Sequence, residues 1–405
     1  MSTNSHSDWK RSLLTLKLFL FFLYGSISIL LSYFPVYFQD KGYSTVTIGF
    51  LMAGGPFVAI FANPFWAYWG DRLQNIRLVL LLILIGNLLV VQLVFQLDTP
   101  TYVFLAMLVF FLFQTPSFSQ SNSLILQTIS GTSTKFGGIR AWGSLGYAIM
   151  AGIAGPIIVL VGINQLWILY SVLLSLTIFL MTRFPKVTVK ESTKVVRGGY
   201  AANVLGNRFF LLFLMLGIFL AVPNAMNQTF VSLYIVELGG SLQLIGYSAL
   251  LTAIFELPVF LLLDRYLKPN KRIMIALLIL ISLLFALRWY LMSLATTPMS
   301  ILYVQVLHCI TFATFYYIGT TLTAQLIPAR YLASGQALFT LTFSGIAGII
   351  AGTLGGWLFQ TYGGKEMYQV SVVISLLSMF GFSLTWIVLR LKDSKKKANQ
   401  VDLPS

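Results

Sequence analysis

The chain has 405 residues, enough for two or three soluble domains at about 150 residues each. Hydrophobic residues make up 58% of it and charged residues 9%, with a mean hydropathy of +0.86. A water-soluble fold carries about 25% charged residues, so a soluble protein, a disordered chain and a nucleic-acid binder are excluded.

Apolar stretches of roughly 20 residues cross ~30 Å of hydrocarbon at 1.5 Å per residue. They fall at 13–37, 46–69, 78–96, 101–127, 141–162, 165–183, 207–235, 243–263, 273–293, 299–327, 336–360 and 367–390. These twelve spans predict an all-α membrane protein. The first span follows Lys10 and Arg11 as a signal-peptide core would. It is too long for one, carries Lys17 and offers no small-residue cleavage site before Pro35, so it is expected to remain a membrane helix. An even number of spans puts both ends on one face. Of 26 Lys and Arg residues, only Lys41 and Lys365 fall in loops on the other face; Arg288 lies inside a span and the remaining 23 are on the termini face. By the positive-inside rule both termini are cytoplasmic. The net charge of +15 is then an orientation signal, with Lys395, Lys396 and Lys397 drawn to anionic headgroups.

Polar residues interrupt the spans at few places. Span 1 carries Tyr24, Ser28 and Ser32 on one helical face, and span 2 ends on Asp71-Arg72. Span 4 carries Gln114 and, two turns on, Asn122. Span 5 carries Arg140, Ser144 and Tyr147 at i, i+4 and i+7, one face of a helix. An arginine fork suits hydroxyl pairs, carboxylates or phosphates, and a tyrosine two turns along offers a flat surface to a ring; alternatively Arg140 only anchors the helix end. Residues 185–206 form the longest polar interruption, basic and holding Gly198 and Gly199, as a linker would.

Beyond it, span 7 carries Asn224, Asn227 and Gln228 on one face, and span 8 carries Glu256 and ends on Asp264-Arg265. Arg288 lies in span 9, and His308 and Thr311 in span 10. The hydroxyl and amide stripes either line a wet cavity or join helices. A charge near a helix centre costs about 2.5–3.5 kcal/mol on insertion scales and needs a partner or water. Glu256 and Arg288 are therefore expected to pair, as a proton switch or as a permanent salt bridge between spans 8 and 9. His308 is read as a solute ligand, a proton relay or a satisfied core imidazole. Glycines crowd span 5 (Gly143, Gly146, Gly152, Gly155) and span 11 (Gly345, Gly348, Gly352, Gly355, Gly356), a packing signal. The single cysteine, Cys309, forbids an intrachain disulfide, and the two histidines, His6 and His308, are too few for a His-based metal site. No phosphate-cradling loop or catalytic triad spacing occurs, so no cofactor, metal or enzymatic activity is expected.

The halves repeat one another. Tyr37/Tyr234, Gly42/Gly239, Ile48/Ile245, Gly49/Gly246 and Gly138/Gly335 share one offset, 197, and Asp71-Arg72 is echoed by Asp264-Arg265. The expected organisation is a six-helix bundle over 1–184, a cytoplasmic linker over 185–206, a second six-helix bundle over 207–392 and a cytoplasmic tail over 393–405. Six-plus-six parallel repeats around a midplane cavity are the build of the major facilitator superfamily.

Several segments resemble that family. Asp71-Arg72 with Arg77 resembles its loop 2–3 signature, with Ala67 where the motif has glycine. The stretch from Phe136 through Gly137, Gly138, Arg140, Trp142 and Gly143 to Tyr147 is similar to the helix 5 segment of lactose permease, nucleoside:proton symporters and the phenylpropionate permease group. Leu307 to Phe312 resembles their helix 10, and Pro328-Ala329-Arg330 with Gly335-Gln336-Ala337 the loop 10–11 pattern of the phenylpropionate branch. The resemblance implies that Arg140 holds hydroxyls, Tyr147 stacks on a ring and His308 takes part in binding and coupling. Asn122 and Thr311 stand where lactose permease has acids, which argues against a galactoside. Glu256 and Arg288 look like the coupling pair of the phenylpropionate branch.

The expected function is proton-coupled symport of a small polar organic solute by alternating access. The solute is a sugar or nucleoside, or after those an aromatic carboxylate. Arg140, Tyr147, Asn122, His308, Asn227 and Tyr24 bind it; Glu256, Arg288 and His308 couple the proton; Asp71, Arg72, Asp264 and Arg265 gate the inner face. The chain is expected to act as a monomer in the cell membrane, with solute, protons and lipid as partners. The alternatives are a proton-coupled efflux antiporter and a flippase for lipid-linked substrates.

Overall fold

The computed structural model describes residues 3–130, 132–185, 204–267 and 270–401. Residues 186–203 of the expected linker, residues 402–405 and the side chains of Lys395, Lys396 and Lys397 lie outside the described residues.

Backbone amides in hydrocarbon must be satisfied within their own segment, which makes helices of apolar stretches this long. Twelve result: α1 (Trp9–Asp40), α2 (Thr45–Leu73), α3 (Ile76–Gln96), α4 (Pro100–Ile129), α5 (Phe136–Val161), α6 (Ile163–Arg183), α7 (Arg208–Glu237), α8 (Leu242–Tyr266), α9 (Lys271–Ser293), α10 (Pro298–Leu326), α11 (Ser334–Tyr362) and α12 (Gly364–Leu391). No strand occurs among the described residues. Polar side chains start several of them: Ser44 Oγ accepts from Thr47 N, Asn207 Oδ1 from Phe210 N and Asn270 Oδ1 from Arg272 N. Pro116 breaks α4 after Thr115. The α1 helix begins at Thr3, and α12 continues to Val401, so the backbone of 393–401 is helical.

Helices α1–α6 make one half and α7–α12 the other. The repeat is visible in the backbone. Gly42 and Gly239, just after α1 and α7, both have φ +82, while Gly162 and Gly363, after α5 and α11, have φ +91 and +98. Only glycine takes such angles at little cost. Arg77 donates from Nε to Met181 O at 3.2 Å and from Nη2 to Thr182 O at 2.6 Å, tying α3 to the exposed carbonyl end of α6. Within the halves α1 packs on α5 and α6, and α9 on α10 and α12; between them α2 meets α11, α5 meets α8 and α1 meets α7.

The contact between halves is one-sided. A Cβ on Gly49 would run into Gly352 O, and one on Gly352 would lie 2.5 Å from Gly49 O. Likewise a Cβ on Gly246 would strike Ala151 O, and one on Gly155 would stand 2.7 Å from Gln243 Cα. Two hydrogen bonds pin the same region: Tyr33 Oη donates to Leu242 O at 3.1 Å, and Val46 N donates to Gln360 Oε1 at 3.0 Å. These residues sit at the ends of their helices remote from the termini. Toward the termini face, Ser144, Asp71, Arg72, Asp264 and Arg265 are exposed, and Phe61 on α2 is 62% exposed. The halves are tightly packed on the far face, and the acid–arginine ends of α2 and α8 lie exposed on the termini face.

Candidate solute and proton site

The wall contributed by the first half centres on Arg140, in the second turn of α5. Its guanidinium carbon lies 4.1 Å from the centroid of the Tyr24 ring on α1, a cation–π stack. Glycine at 143 leaves room for the stack: a Cβ there would stand 2.9 Å from Tyr24 Cδ2 and 3.0 Å from Arg140 Nη1. Arg140 Nη1, Tyr24 Oη, Asn122 Oδ1 and Gln127 Oε1 are buried atoms without a hydrogen-bond partner. Buried polar atoms are normally paired, because each orphan costs about 1–3 kcal/mol. Arg140 Nη1, stacked beside Tyr24, therefore offers a free donor to a polar visitor. Ser28, by contrast, donates back to Gly25 O on its own helix at 2.8 Å.

The second half contributes a polar chain across α8, α9 and α10. His308 Nε2 lies 3.1 Å from Glu256 Oε1; the imidazole side chain is 6% exposed and the carboxylate 27%. Arg288 is fully buried, donating from Nη2 to Gln305 Oε1 at 2.7 Å and from Nη1 to Thr311 Oγ1 at 3.4 Å, with its carbon 4.3 Å from the Trp289 centroid. Gln305 Nε2 donates in turn to Ser248 Oγ at 3.2 Å.

The direct Glu256–Arg288 pair expected from sequence is thus not formed. Gln305, His308 and Thr311, spaced three apart on one face of α10, intervene: the acid takes the imidazole and the arginine takes neutral oxygens. Arg288 Nε and His308 Nδ1 remain unpartnered.

The two walls meet along the α5–α8 contact, where a Cβ on Gly152 would stand 3.2 Å from Leu250 Cδ2 and one on Gly246 would strike Ala151 O. Tyr147 is half-buried and Ser144, one turn nearer the termini face, is exposed. Asn227 does not join them. It is 2% exposed, and its Oδ1 accepts from Tyr368 Oη at 3.0 Å, holding α7 to α12. The gating residues are brought to one face but not to each other. Arg72 lies over Trp69 and Arg265 over Tyr266, and no ion pair joins the two motifs among the described residues.

The sequence analysis gives no role to Gln305, Phe312 or Tyr316. Their signal was present, since His308, Phe312 and Tyr316 recur at i, i+4 and i+8. The rings stack, His308 on Phe312 at 5.0 Å and 10°, Phe312 on Tyr316 at 5.9 Å and 19°. Phe343, carried on a π-helical turn of α11 (Leu341–Ile346), closes against Phe312 at 6.0 Å. Such turns are frequent at functional sites.

Twelve apolar helices in two repeated halves define a membrane protein of the major facilitator fold. The family model described as "MFS_1 like family" matches residues 13–370, and the chain belongs to that family. A maltose permease of Geobacillus stearothermophilus is 27% identical over 387 residues, covering 94% of either chain. A probable 3-phenylpropionic acid transporter of Escherichia coli (strain K12) is 24% identical, covering 89% of this chain and 93% of that one. Among solved structures, a mutant of the nucleoside transporter NupG superposes with a TM-score of 0.81 at 17% identity, over 92% of this chain and 99% of the other.

Proposed function

We propose that this transporter couples the inward movement of a small polar organic solute to that of a proton. The observation that carries the reading is the Glu256–His308 pair at 3.1 Å, a carboxylate 27% exposed against an imidazole 6% exposed. A carboxylate there meets water when the termini face is open. Rocking of the halves would carry it to the other side, so it can load on one face and discharge on the other. Arg140, Tyr24 and Asn122 receive the solute from one half, with Tyr147 two turns along α5 from Arg140; Arg288 holds α9 and α10 in register behind the proton pair. Asp71, Arg72, Asp264 and Arg265 close the termini face when the far face opens. Permease and transporter names among the relatives support uptake, and the charge distribution supports cytoplasmic termini in the cell membrane, with the chain acting as a monomer.

Right-side-out vesicles under an imposed inward proton gradient test it. The wild type is expected to accumulate solute, and Glu256→Gln to lose accumulation while keeping solute exchange at equal concentrations. Accumulation in Glu256→Gln at the wild-type level would remove the proton role, and gradient-driven expulsion would reverse the direction.

A further inference from the structure

The most deeply buried charge of the second half has no opposite charge. Arg288 and Trp289 of α9 are both 0% exposed, and the guanidinium carbon lies 4.3 Å from the indole centroid. The two terminal nitrogens of Arg288 reach Gln305 Oε1 and Thr311 Oγ1, which are neutral oxygens. No carboxylate pairs with it among the described residues, since Glu256 takes His308 at 3.1 Å. Two further N–H groups of the stacked pair, Arg288 Nε and Trp289 Nε1, are buried without an acceptor.

The side chains around the pair do not meet this demand. Tyr368 stacks on Trp289 at 5.9 Å and 21°, but its hydroxyl is spent on Asn227 Oδ1 at 3.0 Å. Phe285 covers the indole at 5.9 Å and has no polar atom to offer. Thr311 gives its own proton to Leu307 O at 2.9 Å, so toward Arg288 it acts only as an acceptor. An arginine does not shed its proton inside a protein. Its charge therefore persists here, and a buried charge without a counter-charge is strongly unfavourable. Water or a neutral oxygen satisfies an N–H group but leaves the charge in place. A small anion answers both at once, because it accepts from the two unmet donors and cancels the guanidinium.

We propose that Arg288 Nε and Trp289 Nε1 bind a halide ion, chloride in the cell, as a resident counter-charge within the second half. A monatomic ion suits full burial better than sulfate or gluconate, whose remaining oxygens would themselves be buried unpaired. The ion site is separate from the proton pair and does not depend on Glu256 carrying a proton.

Melting of the purified full chain in detergent tests this, with sodium chloride exchanged for sodium gluconate at constant ionic strength. The wild-type melting temperature is expected to rise with chloride and to level off, as binding to the folded state alone requires. Bromide should act alike, and sulfate should not. Trp289→Phe keeps the ring and removes one donor; it is expected to raise the half-saturating chloride concentration by about tenfold, the worth of one charge-assisted hydrogen bond. Gln305→Glu sets a carboxylate at the 2.7 Å contact with Arg288 without changing shape, and Ser248 can donate to it in place of accepting. This fixed counter-charge should abolish the chloride response and lift the melting temperature in gluconate to at least that of the chloride-saturated wild type. Crystals grown in bromide should show an anomalous peak beside Arg288 and Trp289. A wild-type melting temperature indifferent to chloride, an equal response to sulfate, or half-saturation unchanged in Trp289→Phe would overturn the proposal. So would a full chloride response in folded Gln305→Glu; if that variant does not fold, Trp289→Phe decides.

Discussion

Alanine at Gly49 measures what holds the far face shut. The added methyl meets the carbonyl oxygen of Gly352, a backbone atom, and α11 cannot back away without parting from Ala53, whose Cβ would lie 2.8 Å from a Cβ on Gly352. No side-chain rotation relieves the clash. Overpacking of this kind costs about 1–3 kcal/mol, and it falls only on the conformation in which α2 touches α11. The equilibrium should therefore move toward the state open on the far face by about 5- to 150-fold. The single cysteine, Cys309, is removed as Cys309→Ser, and spin labels are placed at the exposed positions Asp40→Cys and Lys365→Cys, one in each half at the far face. Pulsed electron resonance then reads the distance between them. Gly49→Ala is expected to add a population at longer distance. An unchanged distribution, in a protein that melts like its parent, would mean that the glycine contact does not hold the seam.

Two further substitutions follow from the same geometry. Tyr33→Phe removes the 3.1 Å bond to Leu242 O, worth about 0.5–1.5 kcal/mol; the same spin-label pair should show a smaller shift in the same direction as Gly49→Ala. Arg288→Lys replaces a fork that reaches Gln305 and Thr311 together with a single ammonium. It should destabilise the protein by about 1.5–3 kcal/mol, seen as a lower melting temperature in detergent, and an unchanged melting temperature would show that the network is not tight.

The fold was legible in the sequence for a physical reason: lipid demands long apolar helices, and a duplicated chain repeats its turn glycines. Gly42 and Gly239 stood in register on paper and share the same left-handed φ in space. The glycines of spans 5 and 11 read as close-packing signals, and Gly155 and Gly352 are found at the tight crossings. The site was legible only in its inventory. Arg140, Tyr24, Glu256 and His308 were picked out because charge and polarity are costly in hydrocarbon, but which group meets which depends on helix rotation, which hydropathy does not encode. Hence Glu256 and Arg288, the two opposite charges, were expected to find each other, and a face of α10 carrying Gln305, His308 and Thr311 stands between them. Asn227 was expected at the solute for the same reason, yet Tyr368, 141 positions away, takes its amide oxygen.

Arg288 also constrains how α9 sits in the bilayer. A lone α9 would carry a guanidinium into hydrocarbon at about 2.5–3.5 kcal/mol, with only the Trp289 ring on its own length to meet it. The oxygens that receive it, on Gln305 and Thr311, belong to α10, which starts at Pro298 after a connection of only residues 294–297. The two helices are thus energetically coupled: the first rests easily in lipid only with the second beside it.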